Sequence, residues 1–174
     1  LYSPDGIECI ACPSGRRPAS LSVGLVEGLE QVLEDATCEE CPEFFAGQAG
    51  ECRRCPSGKQ PNADHSLCVP CVPGFAGVGG ACLQCQNGTE PNGLNSTCMP
   101  CRPGYAGVLG VCERCRPAFQ PNADRTVCTR CPQDRYSPSG LECLSCDAGY
   151  SVNSSQNGCE ACPYGRFGTD GVRC

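Results

Sequence analysis

The sequence predicts small disulfide-rich repeats: an array of short cross-linked loops with little regular secondary structure. Of the 174 residues, 21 are cysteine, and 20 of these fall in ten C-x-x-C pairs. The gaps between the pairs alternate with a period of about thirty residues, which is typical of a stacked array rather than of one globule. Cysteine at this frequency marks a disulfide scaffold, so we expect covalent bonds to replace the usual hydrophobic core.

The rest of the composition is that of an exported chain. Tryptophan is absent and methionine occurs once, whereas glycine (22) and proline (16) are abundant. Large apolar residues are too few to build a core for a chain of this length. Because disulfides persist in oxidising compartments, we expect an extracellular or cell-surface location.

Charge and hydropathy narrow the possible partners. The net charge of −6 argues against binding to nucleic acid phosphates. No stretch of the chain is apolar over the roughly 18 residues that a membrane-spanning helix needs, so we expect no membrane span in this segment. No secretory signal is visible and Leu1 is not a natural start, so we interpret the chain as a piece of a longer exported protein.

The segments between the pairs are of two alternating kinds. Short ones enclose ten residues and long ones enclose twelve, and the last three are more divergent. The sequence therefore divides into an N-terminal repeat at 1–41 with an insertion at 20–37, three regular repeats at 42–71, 72–101 and 102–131, and divergent repeats at 132–174.

The insertion between Cys12 and Cys38 departs from this regular spacing, since it makes that loop 25 residues long. Its apolar residues fall at helical spacing, which predicts a helix around Val23 to Glu34. Glycines within it weaken that prediction. Two interpretations stay open: an element that covers its own loop, and a docking surface for another chain.

Three disulfide schemes compete. Closing each C-x-x-C on itself would make strained small rings that belong to redox motifs. Neighbouring pairs could instead interlock, or the second cysteine of each pair could bond the first of the next. We favour the third scheme because the glycines and prolines lie inside the segments that it closes, where turns are needed. Spacing alone does not fix connectivity. This third scheme joins Cys12–Cys38, Cys41–Cys52, Cys55–Cys68, Cys71–Cys82, Cys85–Cys98, Cys101–Cys112, Cys115–Cys128, Cys131–Cys143, Cys146–Cys159 and Cys162–Cys174.

Two phrases, CVPGFAGVGGAC at 71–82 and CRPGYAGVLGVC at 101–112, resemble the last loop of epidermal-growth-factor-like modules. The tandem run from Cys52 to Cys68 is similar to ephrin-receptor-like cysteine-rich repeats and, more distantly, to tumour-necrosis-factor-receptor repeats. The resemblance implies the third disulfide scheme and a place in receptors, matrix proteins or surface filaments such as flagellar hairs. Loops joined by extended C-x-x-C linkers predict an elongated rod of epidermal-growth-factor-like loops with short β-hairpins. The acidic lead-in of calcium-binding modules is missing here, so we expect no calcium.

Catalytic and metal sites find little support. Paired C-x-x-C motifs also suit tetrathiolate zinc, which is the rival interpretation. Loops rich in proline and glycine, and glycosylation sequons between the cysteines, argue against it. The single histidine, His65, lies between Asp64 and Ser66 in one turn, and three adjacent residues cannot form a catalytic triad. We expect no enzyme activity, no cofactor and no metal.

Three N-x-[ST] sequons predict N-glycosylation at Asn87, Asn95 and Asn153. One cysteine, Cys9, is predicted to have no partner within the chain. The segment Tyr2–Cys9 matches Tyr136–Cys143 at six of eight positions, which would place the partner of Cys9 upstream of Leu1 or in a neighbouring subunit.

Together these patterns predict a structural spacer in a cell-surface or filament-forming glycoprotein. Its partners would be copies of itself or flanking segments of the same filament protein, together with glycans. The alternative is the ligand-binding ectodomain of a receptor built from cysteine-rich repeats.

Overall fold

The computed structural model describes residues 11–19, 37–168 and 174. Within these residues the chain forms sixteen short β-strands and no helix. The strands are β1 Arg16–Pro18, β2 Cys38–Glu40, β3 Phe45–Gln48, β4 Glu51–Arg54, β5 Lys59–Pro61, β6 Cys68–Pro70, β7 Phe75–Ala76, β8 Leu83–Gln84, β9 Thr89–Pro91, β10 Cys98–Pro100, β11 Tyr105–Val108, β12 Val111–Arg114, β13 Phe119–Pro121, β14 Cys128–Arg130, β15 Tyr150–Val152 and β16 Cys159–Ala161.

Consecutive strands pair into eight two-stranded sheets. The prediction of small disulfide-rich repeats with short hairpins is therefore confirmed. The helix predicted around Val23 to Glu34 lies outside the described residues.

The hairpins of the short loops have turns that their sequences explain. Between β11 and β12 a two-residue turn is formed by Leu109 (φ 56°) and Gly110 (φ 80°). Two consecutive residues with positive φ define the turn whose twist matches that of the flanking strands. Ala49 and Gly50 make the same turn between β3 and β4.

Ten disulfides close the loops. Each joins the second cysteine of one C-x-x-C pair to the first of the next, with Cα atoms 5.3–5.9 Å apart. The bonded partners are 11 residues apart in the regular short loops and 13 apart in the regular long loops. The bonds therefore follow the sequential scheme.

Sulfur and methyl groups form the interior of the described chain. The buried hydrophobic residues are cysteines and four alanines: Ala46, Ala76, Ala106 and Ala118. Larger apolar side chains such as Leu83 and Leu94 stay exposed. Since so little apolar area leaves water, the hydrophobic effect contributes little here, and the disulfides hold the loops.

The described residues fall into two compact units. The first comprises the described part of Leu1–Val72 with Ala76–Leu83 and Leu94–Thr97, and the second comprises Pro73–Phe75, Gln84–Gly93 and the described part of Cys98–Cys174. In the first unit, backbone hydrogen bonds link successive loops. The Gly15 amide donates to the Gly47 carbonyl at 2.8 Å, and the Gly47 amide donates to the His65 carbonyl at 2.9 Å.

The second unit uses the same bonds. The amide of Gly88 donates to Gly107 at 2.8 Å, and the amide of Gly107 donates to Arg125 at 2.9 Å. The same pattern continues along the unit: the Ala118 amide donates to the Ser137 carbonyl, and the Ser137 amide donates to the Gln156 carbonyl. Each loop in either unit thus satisfies backbone groups of its neighbours, as nearest-neighbour stacking in repeat proteins requires.

Candidate functional site

A single position in the long loops controls how those loops stack. It lies ten residues after the first cysteine of the loop and adopts a left-handed conformation with φ between 52° and 54°. In each case its carbonyl accepts the backbone hydrogen bond from a short loop. We call this residue the clasp residue, and the clasp residues are His65, Asn95, Arg125 and Gln156.

Two of the clasp side chains, those of Arg125 and Gln156, donate to backbone carbonyl groups. Gln156 is 7 % exposed, and its amide nitrogen donates to the carbonyls of Cys131 at 3.1 Å and Pro132 at 2.7 Å. Its amide oxygen accepts from Arg130 at 2.6 Å. The Arg125 guanidinium donates to the carbonyl of Cys101. Two of these carbonyls, those of Cys101 and Cys131, belong to buried residues, where an oxygen without a donor would cost free energy.

His65 occupies one of the two clasp positions in the first unit, and Asn95 occupies the other. It is half-buried, and its Nδ1 atom is buried without a hydrogen-bond partner. Asp64 Oδ1 accepts from the Ser66 hydroxyl at 2.7 Å and from the Ser66 amide at 3.2 Å. The bonds from Ser66 lower the pKa of Asp64 below its usual 3.8. Asp64 and Ser66 therefore bond each other, in a turn motif rather than in a catalytic relay.

Asparagine side chains cap the turns of three long loops. Asn62 Oδ1 accepts from the Leu67 amide at 3.0 Å, and Asn122 Oδ1 accepts from the Thr126 amide at 2.8 Å. Asn153 has the same role, since its Oδ1 accepts from the Asn157 amide at 3.2 Å and its Nδ2 donates to Asn157 Oδ1 at 2.8 Å. This local bonding is the mechanical reason for asparagine in such turns.

The three sequon asparagines consequently lie in three different environments. Asn153 caps a turn, and Asn95 is a half-buried clasp residue. Asn87 is exposed, and its Oδ1 accepts from the amide of Leu109 at 3.1 Å. The sequon motif alone does not distinguish the three asparagines. Their distances from the preceding cysteine do: Asn87 lies two residues after it, Asn95 ten and Asn153 seven.

Arginine–aromatic contacts are concentrated in the second unit. The Arg102 guanidinium carbon lies 4.6 Å from the Tyr105 ring centroid, and that of Arg116 lies 4.4 Å from the Phe119 centroid. Arg102 also pairs with Glu90 at 3.5 Å. Cation–π stacking of this kind contributes about 0.5–1 kcal/mol at exposed sites, and it leaves arginine and aromatic groups on the surface.

The cysteines offer no metal centre in the part of the chain that the structure describes. All of its cysteines are in disulfides, and a disulfide sulfur is not the thiolate that binds zinc. No group of three or more His, Cys, Asp or Glu within these ranges is arranged to hold a metal ion. Cys9, predicted to be unpaired, lies outside them.

Comparisons with known proteins assign no family. No family model matches the chain, and no curated protein shows significant similarity to it. No helix among the described residues is long and apolar enough to cross a bilayer. The disulfide loops and their stacking bonds therefore carry the functional argument.

Proposed function

We propose that this chain is a spacer region of an extracellular cell-surface or filament-forming glycoprotein, built from loops of the epidermal-growth-factor-like or ephrin-receptor-like type. It holds other parts of a larger assembly at a distance, and it associates with copies of itself or with flanking segments of the same protein. It performs no catalysis. The many disulfides support an extracellular location, because they persist in oxidising compartments.

One observation carries this proposal: the buried hydrophobic residues of the described loops are all cysteines and alanines. Each loop is closed by its own bond and linked to its neighbours by backbone hydrogen bonds. Such loops can be added or removed without rebuilding a shared core, which suits a spacer whose length is its function.

Reduction is the direct test. A closed loop of about 15 residues stabilises a fold by roughly 3 kcal/mol in the chain-entropy model, so thiol reductant should abolish the hairpins and chelator should leave them intact. Circular dichroism with each reagent separates the two effects. Unfolding by chelator without reduction would overturn the proposal in favour of a zinc protein.

A receptor ectodomain is the second candidate. The surface stacks Arg102–Tyr105 and Arg116–Phe119 favour it, since arginine and tyrosine are enriched among residues that dominate protein–protein binding. The paired variants Arg102→Ala and Arg116→Ala distinguish the two roles. Loss of cell-surface binding by these variants with intact disulfides would support a receptor, whereas a spacer should tolerate both substitutions.

A further inference from the structure

We propose that Asn87 is the preferred glycan-bearing sequon, and that its glycan covers an apolar hairpin tip beside it. The apolar tip is the turn between β11 and β12 with its flanking residues, Val108 to Val111. This inference rests on the proposed extracellular role, because N-glycosylation takes place in the secretory pathway.

The apolar tip places three large hydrophobic side chains together on the surface. Val108, Leu109 and Val111 are 47 %, 58 % and 51 % exposed, respectively. Leu109 also has a φ of 56°, which costs a residue with a Cβ about 1–2 kcal/mol. A large apolar side chain kept in a strained, solvent-facing position needs a reason beyond folding.

Asn87 is joined to this tip. Its Oδ1 accepts from the Leu109 amide at 3.1 Å, so the side-chain amide is fixed against the turn. The bond uses only the oxygen of the amide. Nitrogen Nδ2, the atom that carries an N-linked glycan, belongs to an exposed residue.

The repeats supply an internal comparison. At the repeat position of Asn87, two residues after the first cysteine of a long loop, the two preceding loops have Ser14 and Ser57. The regular hairpin tips read QAGE at 48–51, VGGA at 78–81 and VLGV at 108–111. Among these loops, the sequon asparagine Asn87 occurs beside the tip with the largest apolar side chains, at 108–111. We infer that the glycan site and the apolar tip belong together functionally.

The other two sequons have structural duties that compete with a glycan. Asn153 uses both its Oδ1 and its Nδ2 to cap a turn through Asn157. Asn95 occupies the clasp position and is half-buried. At the equivalent position, Gln156 lies buried against carbonyl groups. A bulky glycan on either residue would oppose loop stacking, so we expect occupancy to be highest at Asn87.

The modification is a glycosyl transfer to the side-chain amide of Asn87. Nitrogen Nδ2 of Asn87 bonds to the anomeric carbon of an oligosaccharide, and the bond from that carbon to a lipid diphosphate carrier breaks. Nδ2 loses one proton, and the diphosphate leaves on its lipid. The bulky, solubilising product would stand over Val108, Leu109 and Val111.

Peptide mapping of the chain secreted from a eukaryotic host tests occupancy. After glycosidase treatment, Asn-to-Asp conversion is expected predominantly at Asn87. Unmodified Asn87 in a secreted, fully oxidised protein would overturn this inference and leave the proposed function standing. Free thiols in the same preparation would instead overturn the extracellular role.

Matched variants test the covering. Thr89→Ala removes the sequon but keeps Asn87 and its bond to Leu109, whereas Thr89→Ser keeps the sequon. We expect the alanine variant to gain binding of an apolar fluorescent dye and to self-associate, as light scattering at increasing concentration would show, and the serine variant to match the parent. Adding Leu109→Asn to Thr89→Ala should reverse both changes.

If the alanine variant is not secreted, enzymatic deglycosylation of the folded parent gives the same readout. Equal dye binding and equal self-association with and without the Asn87 glycan would show that the glycan does not cover the tip.

Discussion

Replacing Gly58 with alanine is expected to open the junction between two loops of the first unit. Gly58 is buried with a φ of 77°, where a residue with a Cβ is strained by about 1–2 kcal/mol. A Cβ there would also lie 3.2 Å from the carbonyl carbon of Leu94 and overlap its oxygen. The backbone must shift, which weakens the hydrogen bonds from Gly58 to Gly77 and from Cys71 to Gly58, each 2.8 Å long.

The expected local cost is about 2–3 kcal/mol, combining the strain with one lost hydrogen bond of about 1 kcal/mol. Native-state amide hydrogen exchange measures it directly. A loss of about 2 kcal/mol accelerates exchange about 30-fold, and the amides of Gly58 and Cys71 should show this while the disulfides remain closed.

Gly93→Ala is the matched control. A Cβ on Gly93 would meet nothing within 4 Å, so the same substitution should leave exchange unchanged or slow it slightly, because alanine restricts the unfolded chain by about 0.4–1 kcal/mol. If Gly58→Ala and Gly93→Ala exchanged equally, the argument that left-handed junctions hold the stack would fail.

Three further substitutions probe other parts of the structure. Gln156→Ala should destabilise its loop by about 1–3 kcal/mol, because buried carbonyls lose their donor; hydrogen exchange at the Ser137 amide reports it. Leu109→Asn should stabilise the β11–β12 hairpin by about 1 kcal/mol, since asparagine suits that turn position, and a higher midpoint in guanidinium would show it. The lowered pKa of Asp64 predicts stability that is present above pH 3.8 and is lost as the pH falls through the folded-state value. Asp64→Asn should remove that acid dependence, and an unchanged pH profile would contradict the assigned bonds.

The closed loops of the fold could be predicted because the cysteine spacing defines their lengths. The alternation of short and long loops is visible in the distances between C-x-x-C pairs, and glycines and prolines lie where each loop must turn. Two-stranded hairpins follow from loops too short for wider sheets. Rod shape, domain boundaries and glycosylation remain predictions.

The clasp position was missed for a physical reason. His65, Asn95, Arg125 and Gln156 are all polar but differ in size and shape, so side-chain identity shows no simple pattern. Their common property is a backbone conformation with φ of 52–54°, and among them asparagine and histidine are enriched there. The residue counts from each cysteine held the signal, but the sequence gives no reason to examine the tenth position before the stacking bonds are known.

The variety at the clasp position also explains how such a chain can diverge while keeping its fold. Stacking depends on a carbonyl and an amide, which every residue at these positions provides, and on cysteines that close each loop. A clasp side chain needs only to fit, and it strengthens the junction when it brings a donor, as Gln156 does at 2.7 Å from the Pro132 carbonyl. Outward-facing residues are then free to change, and functional differences between repeats should be sought at exposed positions such as Asn87 and Leu109.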